Sequence, residues 1–162
     1  MSIPMETITG EEELTQAGFY WRELDGVRAL ICAPLEQDGF VNGFSTRLGG
    51  TSDMPRDALS LAGFNDDKAE NILENRRRFL KLFPGDWALA GCWQVHGADV
   101  RVVENAAEAK PAENERGDTI YCDAIVSAAK GVLAGVKTAD CVPLLLGDSK
   151  TGAFAAVHAG WR

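Results

Sequence analysis

Basic charge is in short supply in this chain: 16 lysines and arginines stand against 24 aspartates and glutamates, a formal net charge of −8. A nucleic-acid groove needs a basic face, so no nucleic-acid partner is expected. The deficit leaves room for a small anion, because one arginine can hold a phosphate against the overall field. Long apolar runs are missing too. No stretch approaches the roughly 20 apolar residues of a transmembrane helix, and no membrane partner is expected. The opening residues, Met1–Glu13, have no basic stretch leading into an apolar one, so no secretory signal is expected. Four cysteines without an export signal read as reduced thiols, and the cytoplasm is the expected address.

Histidine is scarce as well. The chain has two, His96 and His158, too few for a multicopper cluster, which needs many imidazoles. Both lie in tight glycine-flanked motifs, Gln94-Val95-His96-Gly97 and Val157-His158-Ala159-Gly160-Trp161-Arg162, each just after an apolar run. Between them a cysteine stands in Thr138-Ala139-Asp140-Cys141-Val142-Pro143. Two imidazoles and a thiolate suit a tetrahedral zinc ion with one position left for water or substrate, the pattern of a catalytic rather than a structural site.

What is present is ordinary for a globular protein. The 162 residues are 46% hydrophobic and 25% charged, enough for one domain with a core. Residues 1–20 read as a polar lead-in with a short helix over Glu11–Ala17. A hairpin follows, Phe19–Leu24 and Val27–Cys32 about a turn at Asp25-Gly26. Phe40–Thr46 reads as a short strand running into the loop Arg47-Leu48-Gly49-Gly50-Thr51-Ser52. The spacing predicts a helix over Asp67–Phe83, capped by Asp66, with Ala69, Ile72, Leu73, Phe79, Leu80 and Phe83 on one face. Arg76, Arg77 and Arg78 read as a solvated face of that helix. Trp87–Val95 reads as a buried strand delivering His96, and Ala98–Val103 as a second strand. Asn105–Gly117 reads as a polar surface segment. The runs Ala124–Ser127, Val132–Val136, Val142–Leu146 and Ala153–Val157 read as stacked strands buried on both faces.

Other residues carry candidate chemistry. Asp123 opens the strand Ala124–Ser127 and is either a turn residue or a general acid or base. Asp140 is either a turn residue or an orienting partner for a metal ligand. Ser45-Thr46-Arg47 with Gly49-Gly50 offers an anion a guanidinium fork and loop amides. Cys32, Cys92 and Cys122 read as packing residues.

These segments, together with Asn75-Arg76 and Asp123-Ala124, resemble the YfiH-type laccase-domain family, formerly labelled multicopper polyphenol oxidases. The resemblance runs in order from Phe40 to Arg162. It implies one domain over residues 1–162 with a mixed-sheet α/β/β/α sandwich, the metal at one end of the sheets. It implies zinc, rather than copper, on His96, Cys141 and His158, with Arg47 tied to substrate or phosphate and Asp123 as the acid. The implied activity is phosphorolysis of adenosine, inosine and methylthioadenosine to free base and ribose 1-phosphate, with adenosine deamination beside it. Two departures stand out. Leu59–Asp66 has no histidine where many relatives carry one, and the C-terminal part of the family fold is expected to lie beyond Arg162. Three rival readings use the same residues: a Cys141 nucleophile in an amidase editing peptidoglycan precursors, a non-catalytic metal-binding module, and a copper polyphenol oxidase.

Overall fold

The computed structural model describes residues 10–53, 56–64, 66–110 and 120–160. The lead-in before Gly10, the later half of the polar segment Asn105–Gly117, Asn65 and the final Trp161-Arg162 lie outside the described residues. Twelve elements follow in chain order: α1 (Glu11–Gln16), β1 (Phe19–Leu24), β2 (Val27–Cys32), α2 (Ala33–Gln37), β3 (Phe44–Ser45), α3 (Ala69–Leu80), β4 (Ala88–Ala90), β5 (Val100–Val103), β6 (Ala124–Ser127), β7 (Val132–Ala134), β8 (Val142–Asp148) and β9 (Ala153–Ala159). They form three sheets, in the orders β1-β2-β3, β4-β7 and β5-β6-β9-β8. The architecture is mixed α/β, as expected, with few helices.

The hairpin forms as its pattern predicts. Asp25 and Gly26 both take left-handed backbone (φ 51 and 79), which matches the twist of two antiparallel strands. Val27, Ala29 and Ile31 alternate inward along β2 and meet Leu59, Leu82 and Phe83 in one core cluster. A second cluster joins Ala90, Cys92, Val103, Cys122, Ile125 and Val132. Burying a side chain such as Ile125, with no exposed surface, contributes about 1.5–3 kcal/mol.

Several expectations need correction. The strand expected over Phe40–Thr46 shrinks to Phe44–Ser45, because the Asn42 side chain takes the place of a backbone neighbour. Its Oδ1 accepts the Cys32 N–H at 2.8 Å and its Nδ2 donates to the Cys32 carbonyl at 3.0 Å. The helix is Ala69–Leu80, shorter at both ends than Asp67–Phe83, and Asp66 does not cap it. Asp66 instead accepts the Gly63 N–H at 3.0 Å, while Asp67 accepts from Lys68 N–H at 2.7 Å and from Asn71 Nδ2 at 3.1 Å. Its buried residues are Ile72, Asn75 and Arg76, and Leu73 faces solvent.

The arginine run is not a solvated face. Arg76 is buried and donates to the Ala62 carbonyl at 3.0 Å. Arg78 donates to the Gly49 carbonyl at 3.0 Å. Only Arg77, paired with Glu74, stays exposed.

The run Val142–Leu146 is likewise not buried on both faces. β8 is an edge strand, and Val142, Leu144, Leu145 and Leu146 are all exposed. Cross-strand partners share a face, so Val102, Val126, Ala155 and Leu146 line up on one side, as do Val100, Ala124, Val157 and Leu144. That side of the sheet is apolar from edge to edge.

Candidate metal centre

The parallel pair β4·β7 sets the geometry of the centre. Its register runs Ala88↔Val132 to Ala90↔Ala134, and the Gly135 N–H extends it to the Ala90 carbonyl at 2.9 Å. Beyond that point the two chains leave in the same direction, one toward His96 and the other toward Cys141. The strand expected over Trp87–Val95 therefore stops at Ala90. The chain then turns to residues 120–122, with the Trp93 N–H on the Ile120 carbonyl and the Cys122 N–H on the Trp93 carbonyl. His158 arrives on β9, paired with Pro143 of β8, so Cys141 enters β8 beside it.

The three expected ligands converge. One donor atom each from His96, Cys141 and His158 lies within 4.8 Å of the others. Cys141 Sγ is 3.7 Å from His96 Nε2. A tetrahedral zinc, with Zn–S about 2.3 Å and Zn–N about 2.0 Å, sets its sulfur and nitrogen ligands about 3.5 Å apart. The two imidazoles meet edge to face with centroids 4.9 Å apart. His96 has φ 59, a left-handed backbone that a non-glycine residue takes at a cost and that recurs at functional sites. Its ring packs close to Gly160, where a Cβ would lie 3.1 Å from His96 Cδ2 and the ring would have to shift.

Asp123 sits beneath this group rather than among its open faces. Its carboxylate is almost wholly buried and accepts the backbone N–H groups of Gly97 at 2.7 Å, His96 at 2.9 Å and Val95 at 3.2 Å. Asp123 Oδ1 also lies 2.8 Å from His158 Nδ1. An ionised carboxylate can only accept, so Nδ1 carries the proton and His158 Nε2 keeps the lone pair a metal needs. Burial pushes the Asp123 carboxyl up, but the hydrogen bonds from His158 and the three amides outweigh it and hold the group below the ordinary aspartate range. Sequence reasoning could not foresee this role, because three of the four partners are backbone groups.

The other candidates are not among the converging donors. Ser45 and Arg47 belong to the β3 end of the first sheet; Ser45 pairs with Ala29, and the Arg47 carbonyl accepts the Leu59 N–H at 2.7 Å. The Arg47 side chain is exposed and makes no hydrogen bond or ion pair among the described residues. The glycine loop is not an open amide cradle. The Gly50 N–H donates to the Asp57 carbonyl at 3.0 Å and the Thr51 N–H to Asn75 Oδ1 at 2.8 Å. Close packing accounts for both glycines: a Cβ at Gly49 would lie 2.4 Å from the Gly26 carbonyl oxygen, and one at Gly50 1.9 Å from that of Ala58. Asp140 is exposed.

Cys92 and Cys122 are buried, and burial followed by a hydrogen bond with Cys122 pushes the Cys92 thiol up to about 12. Iodoacetamide on the native, metal-free protein is expected to modify Cys141 and spare Cys92 and Cys122, read by peptide mass spectrometry. Native-state labelling of Cys92 would contradict the packing reading.

A family model described as multi-copper polyphenol oxidoreductase laccase matches residues 41–162. The chain belongs to this family. Among its relatives, a purine nucleoside phosphorylase of Streptomyces coelicolor is 40% identical over 120 residues, covering 73% of this chain and 46% of that protein. The purine nucleoside phosphorylase YfiH of Escherichia coli is 36% identical over 120 residues, covering 73% and 45%. The crystal structure of YlmD from Geobacillus stearothermophilus superposes with a TM-score of 0.75 at 29% identity, covering 89% of this chain and 53% of that one. The chain thus spans about half the length of the relatives it matches. Although the family's description invokes several copper ions, two histidines are too few for such a cluster, and the donors here gather about one point. No helix among the described residues is long and apolar enough to cross a membrane.

Proposed function

We propose that this chain carries the metal centre of a zinc-dependent purine nucleoside phosphorylase, which cleaves adenosine, inosine or methylthioadenosine to free base and ribose 1-phosphate. The observation that carries this reading is the convergence of His96, Cys141 and His158, with Asp123 fixing the tautomer of His158. Relatives named purine nucleoside phosphorylase support the reaction class. Zinc bound there supplies a Lewis acid and a water of lowered pKa, the chemistry that cleavage and an accompanying adenosine deamination draw on.

The chain's own residues do the rest. His96 Nε2, Cys141 Sγ and His158 Nε2 hold the ion. Asp123, with its carboxylate taken up by four donors, acts by positioning His158 and the Val95–Gly97 backbone. This role replaces the proton transfer expected of it from the family pattern. Arg47, whose guanidinium has no partner among the described residues, takes the phosphate. Ser45, Gly49 and Gly50 shape the loop that presents Arg47, since the Gly50 amide is already engaged. The substrates are a small nucleoside and phosphate, and the cytoplasm is the site of action.

The 3.7 Å approach of Cys141 Sγ to His96 Nε2 also suits a thiolate nucleophile with an imidazole base, the arrangement of a cysteine hydrolase. Metal content separates the two. The purified chain incubated with adenosine and phosphate is expected to release adenine and ribose 1-phosphate and to contain zinc rather than copper by elemental analysis. Cys141→Ala is expected to lose both properties. Full phosphorolysis and full zinc content in Cys141→Ala would sink the proposal, and a metal-free protein whose Cys141 alkylates rapidly would favour the hydrolase.

A further inference from the structure

Between the end of the β4·β7 ladder and the start of β8 the chain crosses Gly135 to Cys141, and the side chain of Gln94 holds it there. Gln94 Nε2 donates to the Lys137 carbonyl at 2.6 Å, and Gln94 Oε1 accepts the Lys137 N–H at 2.7 Å. A side-chain amide thus reproduces the two-way bonding of a backbone neighbour, restoring a ladder that lapsed after Ala90 and Gly135. The position matters because Gln94 stands two residues before His96 and Lys137 four residues before Cys141. On its far side Cys141 is fixed by the pairs Val142↔Ala159 and Pro143↔His158. On its near side, apart from the 3.7 Å contact of Cys141 Sγ with His96 Nε2 itself, Gln94 supplies the hydrogen bonds that the described residues show between the Cys141 segment and the His96 loop.

We propose that Gln94 is the positioning residue that sets Cys141 as the thiolate ligand, latching the Cys141 segment to the His96 loop so that sulfur and imidazole reach one ion together. The proposal rests on the zinc reading given above. Gln94 itself touches neither metal nor substrate. Its loss leaves the histidines in place, since Asp123 holds the His96 loop and His158 independently, and frees the sulfur. The expected signature is therefore selective: weakened thiolate ligation rather than wholesale loss of the centre.

The test uses cobalt(II) in place of zinc, because a bound thiolate gives a near-ultraviolet charge-transfer band that imidazoles do not. It is paired with peptide-level hydrogen exchange on the metal-free protein. Gln94→Ala is expected to bind metal about 10–100-fold more weakly, the range found when a group orienting a ligand is removed. It is also expected to lose the thiolate band preferentially and to exchange faster across residues 135–142, with α3 and β6 unchanged. Wild-type affinity with an undiminished band would overturn the proposal. If Gln94→Ala exchanges faster everywhere, its fold is lost and Gln94→Glu decides. That variant keeps the bond from the Lys137 N–H but sets a carboxylate against the Lys137 carbonyl. It is expected to show the same local pattern, and wild-type behaviour in it overturns the latch. A wild-type protein that gives no thiolate band fails the zinc reading itself, an outcome distinct from normal binding by the wild type and the variants alike.

Discussion

Asp123→Ala is expected to destabilise the chain by about 3–5 kcal/mol, from several buried donors left unpaired at about 1–3 kcal/mol each, and to abolish metal binding. The carboxylate accepts from three backbone N–H groups and faces His158 Nδ1, and it is almost wholly buried. Its removal strands several donors at once, and a stranded buried donor costs about 1–3 kcal/mol. Asp123→Asn is the more telling variant. The amide oxygen can still accept from the Val95 and Gly97 N–H groups, but its NH2 group then faces the His96 N–H, whose bond is lost, and His158 Nδ1, which must become an acceptor. The imidazole proton then moves to Nε2, the atom offered to the metal. This variant is expected to keep part of the stability that Asp123→Ala loses and to lose about 10–100-fold in metal affinity. A residue serving only to move a proton in the reaction would instead keep its metal and lose turnover.

The same group gives a pH dependence. Its folded-state pKa is lowered, so its contribution to stability is present above the ordinary aspartate pKa of about 3.9 and is lost as the pH falls through the depressed folded value. Denaturant melts of the metal-free protein across acid pH are expected to show this loss in the wild type and not in Asp123→Asn.

The contrast between the metal ligands and Asp123 explains what was legible in the amino-acid sequence. His96, Cys141 and His158 were visible because their chemistry lies in side chains of rare type, and a scarce residue in a glycine-flanked motif stands out. The hairpin was visible because Asp25-Gly26 fixes the turn and β2 alternates about it. The span Ala124–Ser127 was read with its observed bounds. Asp123 was visible as a residue but not in its role, because its partners are mostly amides that every residue carries. Gln94 was hidden for the same reason, being bonded to the backbone of Lys137. The edge position of Val142–Asp148 was hidden because an apolar run reads alike whether something covers it or not. The glycine loop misled in a further way. Gly49 and Gly50 suggest an anion cradle, yet their missing side chains admit the backbones of Gly26 and Ala58.

That loop supplies the other large effect. Asn75 has no exposed surface, and its amide joins three segments. Oδ1 accepts from the Thr51 N–H at 2.8 Å and the Thr51 hydroxyl at 3.1 Å, while Nδ2 donates to Ser52 Oγ at 2.9 Å and the Ser60 carbonyl at 3.0 Å. Asn75→Ala leaves these buried and half-buried groups without their partner. A loss of about 3 kcal/mol is expected from two to three groups at about 1–3 kcal/mol each, less what relaxation recovers. For a chain of this size that is a fall in Tm of about 6–12 °C. Asn75→Asp keeps the acceptor for Thr51 but sets a carboxylate against the Ser60 carbonyl, so it is expected to recover little of the loss. Thermal unfolding measures both, and hydrogen exchange across residues 56–64 locates the damage. A cost below about 1 kcal/mol in Asn75→Ala would mean that Arg76 and Arg78, bonded to the Ala62 and Gly49 carbonyls, hold the loop without it. The Asn75-Arg76 motif would then owe its place to the arginine.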